Sequence, residues 1–238
     1  MKTFLKSFAL LMVIIMITSF SNVINAQDEE KTGPSFTAGA DIYSNYVWRG
    51  SKLGTGPAFQ PTVKFTAGGF TAGVWGSFDA LGYAEVDPYI SYSFPVGFSL
   101  GFTDYYYPFH SDSTGTVVGS SFFDTDKATS FHAFELNASY TKGGLSLSAN
   151  YILNEAAGAL SSGGDKYFQI GYAFSKFNLS VGAGDGWHTS DSEFNVCHIA
   201  LGTTKEIKLS ETFSVPVTGQ VILNPDKKQL FLVVGFSL

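Results

Sequence analysis

A closed antiparallel transmembrane β-barrel of about 12 strands is the all-β fold that the sequence predicts, an even strand number being the rule for such barrels. Three observations lead there. Segments with an apolar residue at every second position recur along the chain and are joined by tight turns. The composition is rich in Gly (26), Phe (23) and Tyr (12), and charged residues make up only 14%, against about 25% in soluble domains. Beyond the N-terminal stretch no run reaches the ~18 apolar residues of a spanning helix. Such a surface suits lipid better than water. A chain without apolar helices satisfies its backbone in lipid by closing a sheet on itself. A secreted soluble sandwich is the competing all-β reading.

The N-terminal stretch carries Lys2 and Lys6, an almost unbroken apolar run from Phe8 to Phe20, and a small residue, Ala26, where a peptidase would cut. Residues 1–26 read as a secretory signal peptide, residues 27–34 as a short linker and residues 35–238 as the barrel. Without the signal, twelve basic residues stand against twenty acidic ones, a formal charge of −8. That balance disfavours nucleic acid as a partner. The single cysteine, Cys197, offers no internal disulfide and reads as a small apolar filler.

Residues 35–49 read as the first strand. Gly68 and Gly69 then join 59–67 to 70–78, Pro95 to Gly97 join 84–94 to 98–106, and Lys142 to Gly144 join 131–141 to 145–153. Ser175 and Lys176 do the same for 167–174 and 177–184, and Leu209 to Glu211 for 194–208 and 213–223. The chain closes on 228–238, where Leu230, Leu232, Val234, Phe236 and Leu238 form one apolar row. A terminal strand of this kind is how outer-membrane barrels end, and it serves the barrel-assembly machinery as a signal. The other connections are mostly longer and more polar: 50–56, 109–129, 154–164, 185–193 and 224–227. Short turns on one rim and long loops on the other, with both termini on the short-turn rim, is the asymmetry of bacterial outer-membrane barrels.

One row of each strand is apolar and assigned to lipid, as in Phe70, Ala72, Val74 and Phe78 or Phe134, Leu136, Ala138 and Tyr140. The alternate rows face the lumen. They place Asp41, Tyr43, Arg49, Gln60, Lys64, Trp75, Asp79, Glu85 and Asp87 inside, a bulky and charged wall. The later strands contribute mainly Ser, Asn, Thr, Gln and Gly, with Glu135 as the acidic exception. Such an interior is either a paired network that props the barrel or a narrow aqueous passage along the lean wall. A guanidinium inside the wall needs a carboxylate, and Arg49 is expected to pair with Asp79, Glu85 or Asp87. Five acids against two bases predict cation preference.

The stretches Tyr46-Val47-Trp48-Arg49-Gly50, Pro57-Ala58-Phe59-Gln60-Pro61, Gly73-Val74-Trp75-Gly76-Ser77, Glu85-Val86-Asp87 and Asp104-Tyr105-Tyr106-Tyr107-Pro108 resemble the TorF-like family of outer-membrane porins. The resemblance covers roughly residues 39–108 and implies an outer-membrane barrel; the terminal Leu238 departs from the phenylalanine more usual there.

No enzyme is expected. His110, His132, His188 and His198 are the four histidines, and none lies in a nucleophile motif or a metal-ligand spacing. His132 falls on an apolar row, where a lipid-active enzyme would place a histidine beside a serine. No cofactor is expected. The sequence therefore reads as a monomeric porin-like barrel in the bacterial outer membrane, in contact with its lipid and passing small solutes or ions. The alternatives are a closed barrel whose loops bind a surface partner and, less favoured, a lipid-active enzyme.

Overall fold

The computed structural model describes residues 33–111 and 117–238. The expected signal peptide, and the linker up to residue 32, lie outside the described residues. The barrel strands are β1 (Ser35–Tyr43), β2 (Ala58–Ala67), β3 (Phe70–Asp79), β4 (Ala84–Ser93), β5 (Phe98–Tyr106) and β6 (His132–Lys142). They continue as β7 (Leu145–Ile152), β8 (Lys166–Ala173), β9 (Asn178–Gly184), β10 (Asn195–Lys208), β11 (Ser214–Asn224) and β12 (Gln229–Ser237). Each pairs antiparallel with its neighbours in sequence, and β1 pairs with β12 to close the barrel. The twelve-stranded antiparallel barrel expected from the sequence is the observed fold.

Cross-strand partners share a face, so the registers carry one parity around the whole barrel. On the outer face Phe59, Ile90, Leu136, Ile170, Leu201 and Leu232 all expose large apolar side chains. On the inner face Thr62 opposes Trp75, Trp75 opposes Asp87, Thr103 opposes Glu135, and Asn137 opposes Asn150. The tight turns fall where Gly residues admit the left-handed backbone: Gly68, Gly97 and Gly143 have φ of 57°, 90° and 59°.

Two departures from the sequence reading matter for function. The first strand does not run to Arg49; it ends at Tyr43, and the chain turns inward as a short hairpin of Tyr46–Trp48 paired with Ser51–Leu53. The long connections also carry structure, a hairpin of Phe109–Ser111 with Val117–Gly119 and another of Glu155–Ala156 with Ser161–Ser162. All three lie on the loop rim.

The seam between β1 and β12 is short. Asp41, Ile42 and Tyr43 pair with Ser237, Phe236 and Gly235, and Ala40 exchanges backbone hydrogen bonds with Leu238 at 2.9 and 3.2 Å. Ser44 extends it, its N–H donating to Val234 O at 2.8 Å and its hydroxyl accepting from Val234 N at 3.1 Å. Gly235 is required there, because a Cβ would come within 2.1 Å of the Tyr43 ring and 2.5 Å of the Ile42 carbonyl oxygen. The backbone oxygen cannot move aside without breaking the seam. Gly235→Val is therefore expected to prevent closure, read as loss of the fast-migrating folded band when the unheated protein is run on a cold detergent gel.

Candidate functional site

The inward hairpin builds the site. Its turn residues, Arg49 and Gly50, both have positive φ, 49° and 85°, the geometry of a tight hairpin turn whose two central residues are left-handed. Gly50 is fixed by contact as well as by φ, since a Cβ would lie 1.9 Å from the Cys197 carbonyl oxygen on β10. The tip thus abuts the far wall. Asn224 Nδ2 donates to Gly50 O at 3.0 Å and Lys227 Nζ to Ser51 Oγ at 2.8 Å. Opposite this contact the β9–β10 register shifts between Gly182 and Ala183, and the backbone accommodates the tip with a bulge.

The hairpin also joins separate parts of the interior. Trp48 packs on the buried cluster of Tyr105, Ala133, Ile152, Ala156 and Ala159, and Val47 packs on Ala200, Ile222 and Val233. Tyr46 meets Trp75 at 5.4 Å and Tyr83 at 6.1 Å between ring centroids. Residues from β3, β5, β6, β7, β10, β11 and β12 therefore touch one eight-residue segment. It occupies the loop-side half of the lumen.

Arg49 is the centre of the plug. Its guanidinium donates to both oxygens of Glu135, Nη1 to Oε2 at 2.6 Å and Nη2 to Oε1 at 2.8 Å. Glu135 is wholly buried and also accepts from Tyr105 Oη at 2.9 Å and Asn137 Nδ2 at 2.6 Å. The guanidinium carbon lies 4.4 Å from the Trp48 ring and 4.6 Å from the Tyr167 ring, a cation between two aromatic faces. Burial pulls the Arg49 pKa down, but Tyr105 and the Glu135 hydrogen bonds raise it further than burial lowers it. The expected pairing of Arg49 with Asp79, Glu85 or Asp87 is corrected: the hairpin carries Arg49 across to β6.

Those three acids have other surroundings. Asp79 clamps two loops together, accepting from Thr55 N at 2.8 Å and from Leu81 N and Tyr83 N at 2.9 Å. Glu85 and Asp87 are buried neighbours on the inner row of β4. Tyr83 Oη donates to Glu85 Oε2 at 2.7 Å, and Tyr46 and Tyr107 are further neighbours of that carboxylate. Burial, then the Glu85 charge, hold the Tyr46, Tyr83 and Tyr107 phenols well above their ordinary range. All three stay protonated donors. Trp75 opposes Asp87.

The other residues singled out in the sequence are more scattered. Gln60 is buried, faces Asp41 across β1 and β2, and donates to Ser77 Oγ at 3.3 Å. Tyr43 packs against Gly235 at the seam. Lys64 is exposed, opposite Thr37 and Gly73 in the turn-side half. Below the plug the inner rows continue as Ser91, Ser99, Thr103, Asn137, Ser139, Ser148, Asn150 and Gln169. Thr103, Asn137 and Asn150 form a hydrogen-bonded ladder at 2.9 and 3.0 Å that leads from Glu135 into this hydroxyl- and amide-lined space.

Sequence reasoning missed Trp48, Tyr105, Tyr167 and His188, which surround the guanidinium. The flanks of Arg49-Gly50 alternate like a miniature hairpin, and that was the available signal. His188 ends a single 3-10 turn, Gly186–His188, and stands 5.2 Å from Trp48 and 5.1 Å from Tyr167 between ring centroids. Both its ring nitrogens are buried without a hydrogen-bond partner.

Two other histidines make polar pairs. His132 lies on the outer row, with Nδ1 2.9 Å from each Asp104 oxygen, stacked on Tyr106 and covered by Phe122. Its backbone N–H donates to Ser130 Oγ at 3.2 Å. Among the described residues no serine hydroxyl hydrogen-bonds its imidazole. His198 Nε2 lies 3.0 Å from Ser180 Oγ, but its Nδ1 has no partner and so no acid to orient it. Among the described residues no group of three or more metal-ligating side chains occurs. No protein-family model matches the chain, and no curated protein is detectably similar to it.

The His188 environment makes the plug sensitive to acid. Burial first, and the Arg49 charge second, push its pKa down to about 3, against 6.5 for a free imidazole. Asp185 stays ionised in this window, since its bonds to Lys166 hold it below the usual carboxylate range in spite of burial. With the hairpin and the 186–188 turn lifted, His188 binds a proton below pH 6.5 that the closed form refuses until about pH 3. The contribution of His188 to the closed form is therefore fully present above 6.5 and is lost as pH falls through that window. Tryptophan emission, from Trp48 on the hairpin and from Trp75 and Trp187 packed near it, is expected to shift to longer wavelength between neutral pH and pH ~4. His188→Phe should flatten that response.

Proposed function

We propose that the chain spans the bacterial outer membrane and works as a gated passage for small solutes or ions, held shut at its outer mouth by the Tyr46–Leu53 hairpin. The observation that carries this is the docked hairpin standing over an inner wall of hydroxyl and amide side chains. A barrel that served only as a scaffold would need no such row beneath a plug. Twelve strands fall between the ~8 whose interior side chains fill and the ~16 of open porins, so an inserted segment decides whether the lumen conducts.

Several features support the membrane location. The outer rows carry exposed Phe, Ile, Leu and Tyr around the barrel, an apolar belt far too continuous for a water-facing surface. The loop and turn rims differ as outer-membrane barrels require. The N-terminal stretch has the pattern of an export signal, and residues 39–108 resemble the TorF-like porins. In this setting the outer rows meet lipid, β12 is the strand offered to the assembly machinery, and the barrel acts as a monomer.

Selectivity rests on fewer charges than the lumen count suggests. Glu135 is neutralised by Arg49, and Asp79 is committed to loop amides. Glu85 and Asp87 remain without a basic partner among the described residues, and acids confined in a passage favour cations.

Two experiments test the reading. In planar bilayers the wild-type barrel should conduct weakly or in brief openings. Deletion of residues 46–53 should raise conductance several-fold with a cation preference. Glu135→Gln should open the barrel more than Arg49→Ala, because it leaves a guanidinium unpaired on the movable segment, whereas Arg49→Ala leaves the charge on the fixed wall. Absence of current in all of these would favour the closed barrel with a surface partner. For topology, cysteines introduced at Leu81 and Leu160, 75% and 81% exposed, should react with a membrane-impermeant maleimide on intact cells. A cysteine at Val96 in the opposite turn should not; the reverse pattern would invert the barrel. Buried Cys197 should stay silent in either case.

A further inference from the structure

The lumen already shows how it holds a guanidinium. Arg49 rests between the Trp48 and Tyr167 rings while Glu135 takes its N–H donors and a tyrosine hydroxyl braces the carboxylate. The same chemistry occurs a second time, on β4, without a protein cation in it. Glu85 and Asp87 are 1% and 4% exposed, Trp75 opposes Asp87, and Tyr46 lies 5.4 Å from Trp75. Tyr83 braces Glu85 at 2.7 Å as Tyr105 braces Glu135 at 2.9 Å.

The second site differs in one respect. All of Glu135's capacity is used, but Asp87 Oδ1 is buried with no hydrogen-bond donor. An acceptor of a carboxylate left so is costly, and among the described residues neither Glu85 nor Asp87 forms an ion pair. The neighbours say what donor would suit. Three phenols and an indole provide aromatic faces and hydroxyls. They do not provide the six or more oxygen ligands that a calcium ion takes, and no group of three metal-ligating residues occurs among the described residues. Aromatic faces with carboxylates at the rim fit an organic cation.

The geometry points to the Glu85 and Asp87 pair as a binding site for small solutes that carry a guanidinium or primary ammonium group, with Trp75 as the aromatic wall and Tyr46 standing in the cation's place while the plug is down. The inference rests on the lumen being a passage and names the class of solute it favours. Tyr46 belongs to the hairpin, so the site is roofed while the plug is down and uncovered when it lifts. A bound cation then occupies the space to which Tyr46 must return, and binding and opening favour each other.

The test is calorimetric titration of the refolded barrel in detergent micelles, wild type and Glu135→Gln, with methylguanidinium chloride as the probe. Methylurea, of similar shape and uncharged, and sodium chloride at matched ionic strength are the controls. Saturable methylguanidinium binding is expected, tighter in Glu135→Gln, which frees the plug while Arg49 stays in place of any added guanidinium, and weakened at least tenfold by Asp87→Asn. Glu155→Gln, on the exposed loop pair with Lys127, should bind as before. Should Asp87→Asn not give the folded band, Trp75→Leu keeps both acids, removes an aromatic wall and should weaken binding several-fold. Equal binding of methylurea, binding indifferent to both variants, or uptake of a proton alone would overturn the inference. Calorimetry does not require current. Binding by a barrel that never conducts would remove the channel and leave the site, while conduction without binding would remove the site and leave the channel.

Discussion

Folding a hairpin into the mouth of a barrel takes a guanidinium out of water, and the loop-side interior is organised around that charge. An isolated buried ion costs several kcal/mol even after relaxation. Here two parallel hydrogen bonds to Glu135, two aromatic faces and the donors Tyr105 and Asn137 offset it. The residues that do so come from β5, β6, β8 and the hairpin itself. Remove the inward turn and they have no common purpose: Glu135 would be a carboxylate with no cation to hold, beside Tyr105, Asn137 and Thr103.

The ion pair alone is a poor lock, however. Lifting the hairpin returns both charges to water, and hydration recovers much of what the pair loses, as for buried pairs generally. Packing supplies the rest. Trp48 on Tyr105 and Trp187, Val47 on the β10 to β12 wall, and the Gly50 tip against Cys197 all lose apolar or van der Waals contact on opening. The pair sets where the segment docks, and the packing sets how firmly. A backbone in the left-handed region at Arg49, φ 49°, works against closure by on the order of 1 kcal/mol, so the closed state is favoured by a margin that a proton on His188 or a ligand can challenge.

Strands and turns were legible because both leave local marks. Alternation in Phe134, Leu136, Ala138 and Tyr140 fixes a face, and Gly68 or Gly143 fixes a turn, without knowledge of anything distant. The plug left a fainter mark, one Gly after Arg49 between two three-residue flanks. Period two continues unbroken through Tyr46, Val47 and Trp48, so the first strand seemed to run on to Arg49 when it ends at Tyr43. Proximity in sequence then placed Arg49 with the acids of the next loop, and the true partner, Glu135, stands 86 residues away on β6. Parity served better than proximity: it put Glu85, Asp87 and Glu135 on the same face as Asn137 and Thr103. It could not show that His132, on the outer row and paired with Asp104, is covered by Phe122, since loop packing follows no period.

The division of the lumen follows from the same physics. Bulky aromatic and acidic residues belong where a segment enters from outside and must be bound, and small neutral ones where nothing enters. Trp75, Tyr105 and Tyr167 meet the hairpin, whereas Ser99, Ser139, Ser146 and Ser148 line the space beneath it. A wall of short hydroxyls holds water without binding it tightly and presents no charge to trap an ion. In the proposed passage, resistance to a cation would fall in the loop-side half, where the Glu85 and Asp87 carboxylates attract it and Arg49, once parted from Glu135, repels it. Gate and selectivity would then occupy one layer of the barrel, because both draw on the same few acids and rings.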